Sequence, residues 1–483
     1  MAYDKVVDSQ QLDGAIRATA DAIRSKTGSS ELLPWDANTG YAEAVSEIKE
    51  STTEGANNDI GALIEGTLTN AESDTCTQVR QYAFYQNSLI ETISFPNCSV
   101  VYSQAFYGCE ALTAANLNKC ISIHSSAFAF CSSLSDILLQ KCETISSGAF
   151  SHTGLISINL PCCTSVGASV FDNCTSLRNA NLPVLETIPL KCFNECTALS
   201  QIVAPNCLNI SSSAFLNCSS LTSIDLPACK TIGTEVFLSC NSLSSISLPK
   251  CEVIGSSAFS SCRIQEIDLP ACHTIHKDAF ACCTSISRIS VPMLQNVGAY
   301  AFKSCRFQEA ILPSCVSLGS CVFQYCRSLQ TVDLPMCTDI GSEAFTVCIN
   351  LTSINTPNCI NIGKYAFSSC KSLSIVSLPK CETIGSYAFD LCSSLTILSF
   401  PKCIKIQSNA FYRCSNLSVM ILNGSTMCSL ASSNAFKSTQ ITSEAGAIYV
   451  PSSMISLYQA NSTWSYFSSI FSAFEDSEFN TGE

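Results

Sequence analysis

Charge is scarce in this sequence. Lys, Arg, Asp and Glu together make up 13% of the 483 residues, against the ~25% usual for soluble domains. Basic residues are the scarcer kind, 25 against 38 acidic, for a net charge of −13. Phosphate recognition rests on clusters of Lys and Arg that release counterions, so this balance argues against nucleic acid and anionic lipid as partners. No apolar run approaches the ~18 residues that a membrane-crossing helix needs, so membrane insertion is not expected. The opening stretch Met1 to Asp8 lacks a basic segment followed by an apolar one, so a signal peptide is not expected either. Chemistry is equally thin. No Cys-x-x-Cys occurs, which removes the strongest zinc signature, and neither a Ser/His/Asp grouping nor a phosphate loop is present. The four histidines, His124, His152, His273 and His276, read as turn residues. Cys272, His273 and His276 are close in sequence, but three candidate ligands with Cys272 in a buried column do not make a metal site. No catalytic residue, metal or cofactor is expected, and the chain is not read as an enzyme.

What is abundant is cysteine, 33 in all, and it is periodic. Phe recurs at 84, 106, 128, 150, 171, 193, 215, 237, 259, 280, 302, 323, 345, 367, 389, 411 and 436. Twelve of the sixteen steps are 22 residues, three are 21 and the last is 25. Such a period marks a solenoid with one turn per repeat, in which stacked turns bury what a single turn cannot. The unit reads L-x-x-I-x-L-P-x-C-x-x-I-G-x-x-A-F-x-x-C, as from Leu243 to Cys262. Leu243, Ile246 and Leu248 fit a short strand stopped at Pro249, which cannot donate to a ladder.

Fifteen cysteines lie eight residues before a Phe, where Leu185 and Leu294 take the two remaining places. Fourteen lie three residues after a Phe, where Asn87, Thr153 and Thr439 are the exceptions. A column that accepts Leu is a small apolar slot, so buried free thiols are expected rather than a disulfide framework. Gly stands four residues before Phe in eight units, among them Gly255, Gly341 and Gly363. That suggests a turn with positive φ.

The motif Leu-x-x-Ile-x-Leu-x-x-Cys-x-x-Ile resembles the leucine-rich repeat, and the continuation Ile-Gly-x-x-Ala-Phe-x-x-Cys resembles its BspA-like bacterial subgroup. The resemblance implies a repeat solenoid of about 17 turns of 21–22 residues, β-rich, with a parallel sheet on one face. It implies binding rather than catalysis. Five segments follow: a helical attachment or cap segment at 1–50, a linker with a first irregular strand near Leu63–Leu68 at 51–75, the solenoid at 76–440, an α/β cap at 441–475 and a disordered tail at 476–483.

Within 1–50, Ala20-Asp-Ala-Ile-Arg-Ser-Lys-Thr-Gly28 resembles the N-terminal segment of tail- and fibre-associated proteins of phages and prophages of gut Firmicutes. The pattern Ile448-Tyr-Val-Pro451, followed by Tyr458 and Trp464-Ser465, resembles the C-terminal caps of the same proteins. These resemblances imply a chain made in the bacterial cytoplasm and carried in a phage-like particle, docked to phage structural proteins through 1–50. The alternative is a BspA-like adhesin or interaction scaffold at the cell surface. In either case the partner is expected to be a bacterial surface protein or glycan. The outward strand positions are small, rich in hydroxyl and amide groups and mildly acidic, and Asp225, Gln265, Glu266, Asp268, Gln308, Glu309, Gln330 and Asp333 are the candidate ligand-binding residues.

Overall fold

A repeat of 22 residues is too short for a strand and a full crossover helix, and each turn is built from two very short strands and a tight corner. The computed structural model describes residues 69–443 and 446–480. The expected helical segment 1–50 and the strand expected near Leu63–Leu68 lie outside the described residues. The chain divides into two compact units, Met1–Asp225 and Leu226–Glu483.

In the first unit the three-residue strands Asn70–Glu72, Thr92–Ser94, Ala114–Asn116 and Asp136–Leu138 pair in parallel, as do Ser157–Asn159, Asn179–Asn181 and Gln201–Val203. Two-residue strands from Gln78–Val79 to Ser165–Val166 form a second parallel sheet. The second unit repeats this scheme. Its short strands run in order from Thr231–Ile232 to Ser429–Leu430, and its three-residue strands include a run from Glu309–Ile311 to Ile375–Ser377. In most three-residue strands only the central residue points inward, as the two-residue period of a strand requires.

Every Phe of the period is buried. Within each unit successive rings stack with centroids 4.9–5.7 Å apart and planes within 14° of parallel. This is the spacing of stacked strands, widened by an offset that suits the ring quadrupoles.

The corner around each Phe has a backbone that the sequence does not announce. Apart from Asn434, the residues two before and two after Phe have φ near +60°, and thirty-one of them are not glycine, including Val347 and Leu391. The alternation of left- and right-handed residues points alternate N–H groups along the solenoid. Glu343, Phe345 and Val347 thus donate to Lys364, Ala366 and Ser368 of the next turn at 2.8, 2.7 and 2.8 Å. A third ladder of inter-turn bonds offsets a left-handed cost of about 1–2 kcal/mol per residue.

The glycine column has a different cause from the one expected. Of all described glycines only Gly108 and Gly148 have positive φ, and neither is in that column. A Cβ at Gly298, Gly341, Gly363 or Gly385 would meet the backbone of the preceding turn at 2.5–2.6 Å. Close approach of stacked turns, not φ, selects glycine there.

The three 21-residue units are short at one place. Where Cys326-Arg-Ser-Leu329 has two residues between its apolar ends, Thr153-Gly-Leu155, Cys262-Arg-Ile264 and Cys305-Arg-Phe307 have one. At all three the ladder of three-residue strands is interrupted, after Leu138, Ser247 and Ser290. Two other breaks, after Val203 and Ser377, fall in full-length units.

At the C-terminus the strand expected over Ala445–Val450 is Ala447–Val450. Pro451 precedes a short 3-10 turn, Ser452–Met454, before helix Ile455–Ala460, and Phe471–Ala473 adds a strand that was not expected. Trp464 and Phe467 are buried against the last ring of the column, with centroids 6.0 and 5.4 Å from that of Phe436. Trp464 Nε1–H donates to the Cys428 carbonyl at 2.7 Å, and the Cys428 N–H donates to Tyr458 Oη at 2.8 Å. Beyond it, in the segment read as a tail, the Phe479 ring lies 5.4 Å from that of Tyr449.

Candidate binding face

The periodic residues that could carry chemistry are inside. Thirty cysteines are buried, Cys76 and Cys162 are half-buried, and Cys282 alone is exposed. Three residues after Phe, the thiol donates to a Phe carbonyl of the preceding turn, as Cys109 does to Phe84 at 2.9 Å and Cys348 to Phe323 at 3.1 Å. That column is therefore a hydrogen-bonding one. Two of its exceptions bond differently, since the hydroxyls of Thr153 and Thr439 donate to the carbonyls of Phe150 and Phe436 in their own turns at 2.9 and 2.7 Å. Eight residues before Phe the thiol makes a longer contact with a carbonyl two residues on, 3.3 Å for Cys337 and 3.5 Å for Cys359, and there Leu185 and Leu294 fit instead.

The histidines also find local partners. His124 and His152 stack on Tyr102 and Phe130 with centroids 5.0 and 4.4 Å apart, and His273 Nδ1 lies 3.0 Å from Thr274 Oγ1. His152 lies in a turn, as expected, and is half-buried there, extending an aromatic run of Tyr85, Tyr107 and Phe130 along one corner. Among the described residues no group of three or more His, Cys, Asp and Glu is arranged to hold a metal ion.

The outward strand positions are where the chain meets solvent. Asp225 is exposed at the end of its strand in the first unit. The other seven candidates belong to the second unit and do not gather in one place. Gln265, Glu266 and Asp268 are exposed on or beside strand Glu266–Asp268, whose register partners are Arg288, Ile289 and Ser290. Gln308, Glu309 and Gln330 line a single depression of about 760 Å³, together with Ser287, Arg288, Ile289, Arg306, Ile311 and Thr331. Asp333 is apart from it, half-buried, with Oδ1 accepting from Asn355 Nδ2 at 2.8 Å. Sequence reasoning missed Arg288 and Arg306. The signal for Arg306 was present, since it is the lone residue between Cys305 and Phe307 in a shortened unit. The face is also less polar than expected, because Ile311, Ile375 and Ile397 are 53%, 65% and 45% exposed on it.

A pattern of this kind, with stacked parallel strands on one side, an inward Phe and an outward polar face, is repeated across the chain. The BspA type Leucine rich repeat region (6 copies) matches residues 67–178, 164–283, 252–360 and 338–461. The chain belongs to the BspA-type leucine-rich repeat family. That family is a repeat family. Among solved structures, this BspA-type chain is similar to a leucine-rich repeat protein from Bacteroides ovatus, 21% identical with a TM-score of 0.54, over 82% of this chain and 94% of that one. It is also similar to a leucine rich cell surface protein from Faecalibacterium prausnitzii, 19% identical with a TM-score of 0.36, over 74% of this chain and 92% of that one. The first likeness shows the fold alone. Among curated proteins, none matches the chain.

Proposed function

We propose that this BspA-type chain is a non-enzymatic recognition protein, a bacterial cell-surface adhesin or interaction scaffold that presents its strand face to a surface protein or glycan. The observation that carries the reading is the division of each turn. The thiols and aromatic rings that repeat most strictly are buried, while the outward positions of the strands vary from turn to turn and stay exposed. A repeat core with a variable face is built for recognition. The narrower role in a phage particle rests on residues 1–50, outside the described residues, and on the C-terminal pattern, whose Tyr458 and Trp464 are used to cover the last turn. It therefore gives way to the surface role.

The test is binding of the full chain to an array of bacterial surface glycans and proteins, repeated with Asp225, Glu266, Asp268 and Asp333 changed to Ala. These strand-face positions tolerate Ala with little loss of stability. The expected outcome is at least a tenfold loss of binding to whatever the wild type captures. Unchanged binding by the fourfold variant would move the site off the strand face.

A further inference from the structure

The depression on the second unit is where the repeat is one residue short. In the full-length unit that follows, Cys326 and Leu329 are separated by two residues, and strand Thr331–Asp333 pairs on both sides. Between Cys305 and Phe307 there is only Arg306, and strand Glu309–Ile311 does not join the ladder of Arg288–Ser290. The inner side of the strand is locally uncovered at this break. The central residues of neighbouring strands, Ile267 and Val332, are each 3% exposed, whereas Ile289 is only half-buried. Ile289 and Ile311 line the depression together with Arg288, Arg306, Gln308 and Gln330. The volume of about 760 Å³ lies within the range of small-ligand sites.

Charge makes the site distinct from the rest of the molecule. The chain carries −13, but this lining holds two arginines against Glu309 alone. Neither guanidinium is ion-paired among the described residues. A planar guanidinium matches a carboxylate with two parallel hydrogen bonds, so the lining is short of one carboxylate. The amides of Gln308 and Gln330 and the hydroxyls of Ser287 and Thr331 suit vicinal hydroxyl groups, and the side chains of Ile289 and Ile311 suit the apolar C–H face of a ring. A polyanion would need many cations in a row, which the surrounding acidic face does not supply.

We infer that this notch is a binding site for an acidic sugar, with Arg288 and Arg306 on the carboxylate of a hexuronate residue. The inference rests on the recognition reading above and names the ligand class for one part of that face.

The experiment is calorimetric titration of the full chain with a trigalacturonate, its methyl-esterified form and a tetraglutamate peptide. The wild type should bind the free uronide at least tenfold more tightly than the ester. The double variant Arg288→Gln/Arg306→Gln should lose at least tenfold in uronide affinity at an unchanged melting temperature. Arg263→Gln, in the other arginine-bearing short unit and outside this lining, should leave binding unchanged. Absence of uronide binding, equal affinity for the ester, equal affinity of the double variant, or tighter binding of tetraglutamate would overturn the inference. Array binding that survives such a result leaves the recognition reading standing, and loss of both removes both.

Discussion

Thr356 stands where the adjacent turns place Leu334 and Leu378, just before the Pro-x-Cys step of the repeat. It is fully buried, and its Oγ1 has no hydrogen-bond partner among the described residues. An orphaned buried hydroxyl costs about 1–3 kcal/mol of desolvation that a methyl of the same shape does not. Thr356→Val is therefore expected to raise stability by about 1–2 kcal/mol in urea unfolding. A loss of stability would mean that the hydroxyl is solvated or bonded. At this scale the sequence is legible as to which side chains are inside, since the Phe column is buried throughout and the Ile and Leu columns in most turns. It is misleading about glycine. A column of Gly reads the same whether it serves positive φ or close approach, and only the positions of Gly341 and Gly363 against the turn before them tell the two apart.

The two cysteine columns differ at the level of the element. Register is visible in spacing, but the direction of a thiol is not, so the sequence marks the Leu-accepting column as an apolar slot and leaves the other column's role open. The structure separates them by their acceptors. The thiol after Phe reaches across to the previous turn at about 3 Å, and the thiol before Phe stays within its own turn at longer range. The expected outcome is a crossed pattern in chemical denaturation. Cys348→Thr should cost under about 1 kcal/mol, because a hydroxyl at this position can donate to the Phe carbonyl of its own turn instead, as Thr153 does to Phe150. Cys348→Leu should cost about 1–3 kcal/mol through overpacking and the lost donor. Cys337→Leu should be nearly neutral, as Leu185 and Leu294 already occupy that column. Equal losses for the two Cys348 variants would return the column to a steric role. The shortened units show the same limit for the binding face. Their 21-residue steps are plain in the sequence, yet that Ile289 is half-buried and Arg288 and Arg306 lie around a notch depends on which strands still pair.

For the molecule as a whole, periodicity carries almost the entire fold, because each turn contacts only its neighbours and the same residues recur in the same places. The same regularity gives it an alkaline weakness. Burial pushes the thiols of Cys120, Cys272 and Cys337 from an ordinary value near 9 up to about 11, the loss of hydration outweighing the hydrogen bonds that each makes to backbone. Burial pushes Cys315 and Cys326 up to about 12. A thiol held neutral in the fold favours unfolding once the pH passes its unfolded value, since the unfolded chain then binds fewer protons than the folded one. Stability should be level below pH 9 and fall between pH 9 and 11–12. Each such thiol contributes about 1.4 kcal/mol per pH unit over that interval. With domain stabilities of about 5–15 kcal/mol, a few of the thirty buried cysteines suffice to unfold the chain. Circular dichroism against pH should show a cooperative loss of β-structure with a midpoint between pH 9 and 11, accompanied by thiolate absorbance rising in the same step. A chain that keeps its spectrum to pH 12 would show that ionisation of the buried columns is not coupled to unfolding.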